Sequence, residues 1–155
     1  MNSKNIERKV EIYRMHPNAV FPEKKTQGSA GMDLHCCIKS EDNIVVLSKN
    51  EFYKFGTGIG IVLPQYWEAQ VRSRSGLASK GVALLGGVGT IDSDYRGEIF
   101  VTLINHSESS IVIRDGDRIA QLVINALPEF VEVYKTGEPP QDTERGKGGF
   151  GSTGI

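Results

Sequence analysis

The stretch 67-WEAQVRSR-74 sets Trp67, Ala69 and Val71 in alternation with Glu68, Gln70 and Arg72. Successive side chains on an extended backbone point to opposite sides, so a period of two marks a strand with one face in a core and the other in water. The same texture of short apolar runs, broken by Gly, Pro and polar turns, recurs on both sides of it, and the 3.6-residue stripe of amphipathic helices does not dominate. Further strands are expected at VEIYRM (10–15), DLHCCI (33–38), NIVVL (43–47), TGIGIVL (57–63), GEIFVTLIN (97–105), SIVI (110–113), IAQLVI (119–124) and FVEVYK (130–135). Strands this short and this numerous predict an all-β, jelly-roll-like sandwich or barrel.

A chain of 155 residues is long enough to bury one real core and calls for no second one. Residues 1–136 are expected to form a β domain. Residues 137–155, rich in Pro, Gly and charge, are expected to form a flexible C-terminal arm. With 18 Lys and Arg against 19 Asp and Glu, the chain carries no bulk basic field to draw in nucleic acid or an anionic membrane, so any anion site must be local. The segment MNSKNIERKV has no apolar signal-peptide core, and no apolar run approaches the ~18 residues of a membrane span. These features predict a soluble intracellular protein, cytoplasmic in the first instance, with the nucleus or a virus-infected host cell as further locations. Adjacent Cys36 and Cys37 make neither a disulfide framework nor a metal-ligand spacing and are read as packing residues, and His16, His35 and His106 form no metal motif.

One segment breaks the β rhythm. In RSGLASKG (74–81), Ser75 reads as an N-cap, Leu77, Ala78 and Lys80 as helix formers and Gly81 as the stop, which predicts one short helix. Backbone N–H groups near Ser75 and Gly76, with Arg74 beside them, would form a phosphate cradle; a capped helix with a surface arginine reads the same letters. GGVGTIDSDYRGE (86–98) predicts a hairpin carrying Asp92, Asp94, Tyr95, Arg96 and Glu98 round its bend. Its glycines would permit close approach to a flat ligand, its bare backbone could read a nucleobase edge, and an aspartate could take a proton from water. Asp-x-Asp is also ordinary turn chemistry. Gln121 and Asp33 are polar residues among apolar neighbours, and buried polar groups need partners whether or not a ligand is one of them.

Taken together, AGMDL (30–34), RSGLASKG (74–81), GTIDSDYRGE (89–98), GDRIAQLVI (116–124) and RGKGGFGSTG (145–154) resemble, in order and spacing, the five motifs of the trimeric deoxyuridine triphosphatases, the dUTPases. The resemblance covers nearly the whole chain from about residue 8. It implies Mg²⁺-dependent hydrolysis of dUTP to dUMP and pyrophosphate, on a jelly-roll fold assembled as a homotrimer with active sites at subunit interfaces. One chain would give the first, second and fourth motifs, a second chain the third, and the last chain its tail. By motif, Asp92 would orient and deprotonate the attacking water, and Tyr95 would stack under deoxyribose. Backbone around Gly86, Gly89, Thr90, Ile91 and Phe100 would read uracil, and Arg74, Ser75, Gly76 and Gln121 would hold phosphates. Mg²⁺ would be held by the triphosphate and waters with no direct protein ligand, Asp33 acting at one remove. In the tail, Arg145, Ser152 and Thr153 would close on the γ-phosphate and Phe150, with Gly151 beside it, would cover the uracil; the surrounding glycines would let this lid open and close. Ser73 stands where members of the family often have proline.

Two other readings share parts of this pattern. A dCTP deaminase would have the fold and much of the phosphate site but would act on the base, whereas Asp92 and Tyr95 suit α-phosphate hydrolysis and deoxyribose selection. A non-catalytic nucleotide-sensing module would be marked by loss of Asp92, Arg145 or Phe150, and all three are present.

Overall fold

The structure, a computed structural model, describes residues 9–140 and 142–144. Within them lie eleven strands and one short helix: β1 (Glu11–Arg14), β2 (Gly31–His35), β3 (Ile44–Leu47), β4 (Phe52–Gly56), β5 (Ile59–Val62), β6 (Trp67–Arg72), α1 (Ser75–Ala78), β7 (Val82–Leu84), β8 (Gly89–Ile91), β9 (Phe100–Asn105), β10 (Ile111–Arg114) and β11 (Arg118–Ala126). The strands pair in the orders β2-β11-β6-β8, β4-β9-β7, β1-β5 and β10-β3. Every pairing is antiparallel. The fold is all-β and jelly-roll-like.

Strand β6 realises the alternation of WEAQVR, with Ala69 and Val71 buried and Arg72 exposed. Its neighbour β11 is flanked on both sides, by β2 and β6, and buries Ile119, Ala120, Leu122 and Val123, so its sequence is a nearly unbroken apolar run. Of these, Ile119, Ala120 and Leu122 meet Leu34, Leu47, Phe55, Ile59, Ile99 and Leu103 in one core. Full burial of such a side chain is worth roughly 1.5–3 kcal/mol. Asn105 is wholly buried and fully paired: its Nδ2 donates to the carbonyls of Leu47 and Ser109, both at 2.8 Å, and its Oδ1 accepts from the Ser107 amide and hydroxyl. Cys36 and Cys37 are buried, and burial pushes the Cys36 thiol up to about 11.

Several sequence expectations are corrected. FVEVYK (130–135) forms no strand; Phe130, Val131, Val133 and Tyr134 are 70–88% exposed. Alternation assigns side chains to faces, but a strand also needs a neighbouring edge to bond to. DLHCCI is shifted, since β2 ends at His35 and the Cys36 and Cys37 amides turn away to donate to Asp117 and Gly56 carbonyls. Strands β4 and β7 were not anticipated. In addition, GEIFVTLIN enters its sheet only at Phe100, because the Ile99 amide donates instead to the Ile59 carbonyl at 2.8 Å.

Candidate active site

Two groups of predicted residues are assembled. The first lies on the central sheet. Gln121 on β11 pairs with Asp33 on β2 and with Arg72 on β6, so three segments far apart in sequence arrive side by side. Gln121 Nε2 donates to the Ser73 carbonyl at 2.9 Å, and the Ser73 hydroxyl accepts the Leu84 amide at 3.1 Å. Ser73 therefore restrains the approach to α1 by its own hydrogen bonds, in place of a proline ring. Glycine at position 31 leaves room for the Gln121 amide, since a Cβ there would stand 2.5 Å from Gln121 Oε1 and displace it.

Asp33 is the electrostatic centre of this group. Its Oδ1 accepts from Arg74 Nε at 2.9 Å and its Oδ2 from Arg118 Nη1 at 3.1 Å, while Arg74 Nη1 donates to the Arg118 carbonyl at 3.0 Å. Burial alone would push the Asp33 carboxyl up, but the Arg118 hydrogen bond and the charge and hydrogen bond of Arg74 outweigh it and hold the group below its usual range. Alongside, burial lowers the His35 imidazole against the opposing pull of Asp33, and His35 Nδ1 is buried without a hydrogen-bond partner.

The Asp33 contact also fixes the start of α1. Arg74, tied to β2 and β11, keeps an extended backbone (φ −92°, ψ 134°) and is the N-cap residue, with no side-chain cap. Ser75 is thus the first helical residue and not the cap expected from its hydroxyl. Leu77 and Ala78 amides both close on the Arg74 carbonyl, giving a single turn. The helix ends at Ala78, so Lys80 lies beyond it, and the chain then turns at Gly81 with φ +81°. A Cβ on Gly76 would meet open space.

The second group lines a cavity of about 240 Å³ containing Gly89, Thr90, Ile91, Asp92, Tyr95 and Phe100, together with Lys54, Val71, Glu98 and Ile99. The bend at 86–98 is not the hairpin expected from the sequence. Strand β8 pairs with β6, Gly89 lying opposite Val71, and β9 pairs with β4 and β7 in another sheet. What joins them is a turn closed by the Tyr95 amide on the Asp92 carbonyl at 3.1 Å. Strand β8 is the last in its sheet, so one row of its backbone groups faces away from the ladder, beside Asp92 and Tyr95. Tyr95 lies against Gly97 and donates its hydroxyl to the Glu98 carbonyl at 2.8 Å. Lys54 Nζ stands 4.1 Å from the centre of the Phe100 ring, a cation–π contact. Gly86 and Gly87, both at φ +88°, turn the chain into β8.

The two groups line separate cavities of the chain. Arg74 lines a different cavity, of about 380 Å³, with Leu77, Lys80, Asp117 and Arg118. Arg145, Phe150, Gly151, Ser152 and Thr153 lie outside the described residues. Sequence reasoning missed Lys54, Arg118 and the part played by Glu98. Arg118 sat in plain view inside GDRIAQLVI; the contacts of Glu98 with Gly58 and of Lys54 with Phe100 join segments distant in sequence and leave no local signal.

A sequence profile of the dUTPase family matches residues 17–154. The deoxyuridine 5'-triphosphate nucleotidohydrolase of Hydrogenobaculum sp. is 46% identical over 148 residues, covering 95% of this chain and 99% of that protein. The enzyme of the same name from Desulfitobacterium hafniense is 44% identical over 157 residues, covering 100% and 99%. Among solved structures, a mutant of the Staphylococcus bacteriophage 80alpha dUTPase with dUpNHpp superposes with a TM-score of 0.82 at 26% identity, covering 95% of this chain and 99% of that one. A mutant dUTPase of S. aureus phage phi11, described with a structural Mg(II) ion, shares the fold at TM-score 0.69 and 23% identity, covering 84% and 99%.

Proposed function

The chain belongs to the dUTPase family, and we propose that it hydrolyses dUTP to dUMP and pyrophosphate by attack of water on the α-phosphorus. The observation that carries this reading is the cavity in which Asp92, Tyr95 and the free edge of β8 stand together. Backbone N–H and C=O groups of β8, with those near Gly86 and Phe100, would read the uracil edge and leave no space for a 5-methyl group. The Tyr95 ring would lie under deoxyribose, where a 2′-hydroxyl would clash with it. Asp92 would hold the water and take its proton as the new P–O bond forms, while the α–β bridging oxygen departs with pyrophosphate. Arg74, Ser75, Gly76 and Gln121 would bind the triphosphate. The reaction would keep uracil out of DNA and supply dUMP for dTMP synthesis.

Because Asp92 and Arg74 line separate cavities in one chain, the complete site would form between subunits of a homotrimer. A second observation favours contact between copies. Phe52, Lys54 and Phe100 share the outer face of the β4-β9-β7 sheet, where Phe52 is 62% and Phe100 43% exposed, and this face runs into the β8 cavity. Residues 1–136 would form the β domain of each subunit and 137–155 an arm. Its Arg145, Phe150, Gly151, Ser152 and Thr153 would close over substrate as a lid.

Mg²⁺ would neutralise triphosphate charge when bound. Both Asp33 oxygens are taken by guanidinium groups, which fits Asp33 to hold Arg74 and Arg118 in place at one remove from a metal carried by phosphate oxygens and water. Among the described residues, no helix is long and apolar enough to cross a membrane. The experiment is to incubate the protein with Mg²⁺ and each deoxynucleoside triphosphate or UTP, measuring pyrophosphate and ammonia. Pyrophosphate from dUTP alone is expected; ammonia from dCTP would replace this reading with deamination.

A further inference from the structure

We infer that Glu98 is a positioning residue for sugar discrimination: its carboxylate clamps the backbone that anchors Tyr95, and so sets how closely the tyrosine ring fits a deoxyribose. This rests on the proposed role of Tyr95. The Glu98 side chain is only 15% exposed, and its Oε1 accepts the Gly58 amide at 2.8 Å, across forty positions of sequence. Glycine at 56 leaves the room it needs, since a Cβ there would stand 2.5 Å from the same oxygen. Lys39 Nζ lies 3.8 Å from the other oxygen, a long and exposed contact that contributes little.

The same residue meets the tyrosine through its main chain, because the Glu98 carbonyl accepts the Tyr95 hydroxyl at 2.8 Å. That carbonyl shares a planar peptide unit with the Ile99 amide, which donates to the Ile59 carbonyl at 2.8 Å. Residue 98 is therefore held at two points to consecutive residues where the β4–β5 turn enters β5, by its side chain to Gly58 and by its following peptide to Ile59. The turn itself is stiff. Thr57 is fully buried with its hydroxyl donating to the Ile99 carbonyl at 2.7 Å, and Gly58 sits at φ +64° with space for no side chain against Ala19. Removing the carboxylate frees one of the two points and strands a buried amide, so the carbonyl under the tyrosine hydroxyl gains play.

The hydrogen bonds of Glu98 lead to Gly58 and to the tyrosine anchor. The expected signature is thus a change in the selectivity between the two sugars. The test compares kcat/KM for dUTP and UTP in Glu98→Ala, Glu98→Gln, Tyr95→Phe and the Glu98→Ala/Tyr95→Phe pair, each checked for cooperative unfolding. Glu98→Ala should raise the UTP-to-dUTP ratio of kcat/KM about 3- to 10-fold, the scale of one ordinary hydrogen bond. Glu98→Gln keeps an oxygen for Gly58 and should leave the ratio near the parent value. Tyr95→Phe should raise the ratio as well, and the pair should add little to it, because both changes loosen the same contact.

A Tyr95→Phe shift with no shift in folded Glu98→Ala would overturn the inference while leaving the role of the tyrosine intact. No shift in Tyr95→Phe would remove the reading on which it rests. Additive shifts in the pair would also overturn it, since the two residues would then act separately. Should Glu98→Ala fail to fold, Glu98→Asp draws the carboxylate back by one methylene and decides the question by the same ratio.

Discussion

Replacing Asp33 by asparagine removes a charge while leaving one carbonyl oxygen and almost the same volume. In the parent, that carboxylate holds Arg74 at 2.9 Å and Arg118 at 3.1 Å. The two contacts differ in worth. Asp33 and Arg74 side chains are 13% and 22% exposed, so this pair falls toward the ~1.5–3 kcal/mol of hydrogen bonds to charged groups. Arg118 is 47% exposed, which puts its pair near the ~0–1 kcal/mol of surface bridges. The substituted amide would keep one neutral bond and lose the rest, a net destabilisation of about 1–2 kcal/mol at neutral pH. For a chain of this size the melting temperature should fall by roughly 2–8 °C. The pH dependence has a definite sign. The folded carboxyl lies below its ordinary value of 3.8, so its stabilisation is fully present above the unfolded pKa and is lost as pH falls through the lower, folded one. Urea unfolding of parent and Asp33→Asn from pH 7 downward should show a constant gap to about pH 4.5 that closes at lower pH. A gap that is absent at pH 7, or one that widens on acidification, would refute the assignment of Asp33 as the centre of this network.

Gly31→Ala drives a methyl group into Gln121 Oε1; the displaced glutamine should lose its bond to the Ser73 carbonyl, costing about 0.5–1.5 kcal/mol of stability, and KM for dUTP should rise more than kcat falls. Asn105→Ala strips the Leu47 carbonyl and the Ser107 amide of their side-chain partner, while the Ser107 hydroxyl keeps its bond to the Ser109 carbonyl, and equilibrium unfolding should register a loss of roughly 2–4 kcal/mol. Asp92→Asn should fold normally and lose ~10²–10⁴ in kcat. Refolded together with a chain ending at residue 144, itself poorly active, it should regain activity through mixed trimers; verified mixed trimers without recovery would mean that each chain works alone.

How much of this was legible depends on how local the determining contacts are. Strands β6 and β11 were readable because several consecutive positions of each are sorted by burial. In β4, FYKFG, only Phe55 is buried while Phe52 and Tyr53 remain exposed, so the period of two has nothing to act on. FVEVYK shows the converse, a good alternating pattern with no ladder, because pairing is decided by what lies alongside and not by the segment itself. At the site, Asp92 and Tyr95 are three residues apart and a single turn unites them, which a motif can record. The Asp33–Arg118 bond spans 85 positions and the Glu98–Gly58 bond spans 40; such contacts exist only once distant segments have been brought side by side, as β2 and β11 are.

The direct test of water attack at the α-phosphorus is hydrolysis of dUTP in isotopically labelled water, followed by mass spectrometry of both products. Attack at the α-phosphorus places the heavy oxygen in dUMP and leaves pyrophosphate unlabelled, which is the outcome expected here. Heavy oxygen in pyrophosphate and none in dUMP would mean that water attacks the β-phosphorus, a result incompatible with the role given to Asp92.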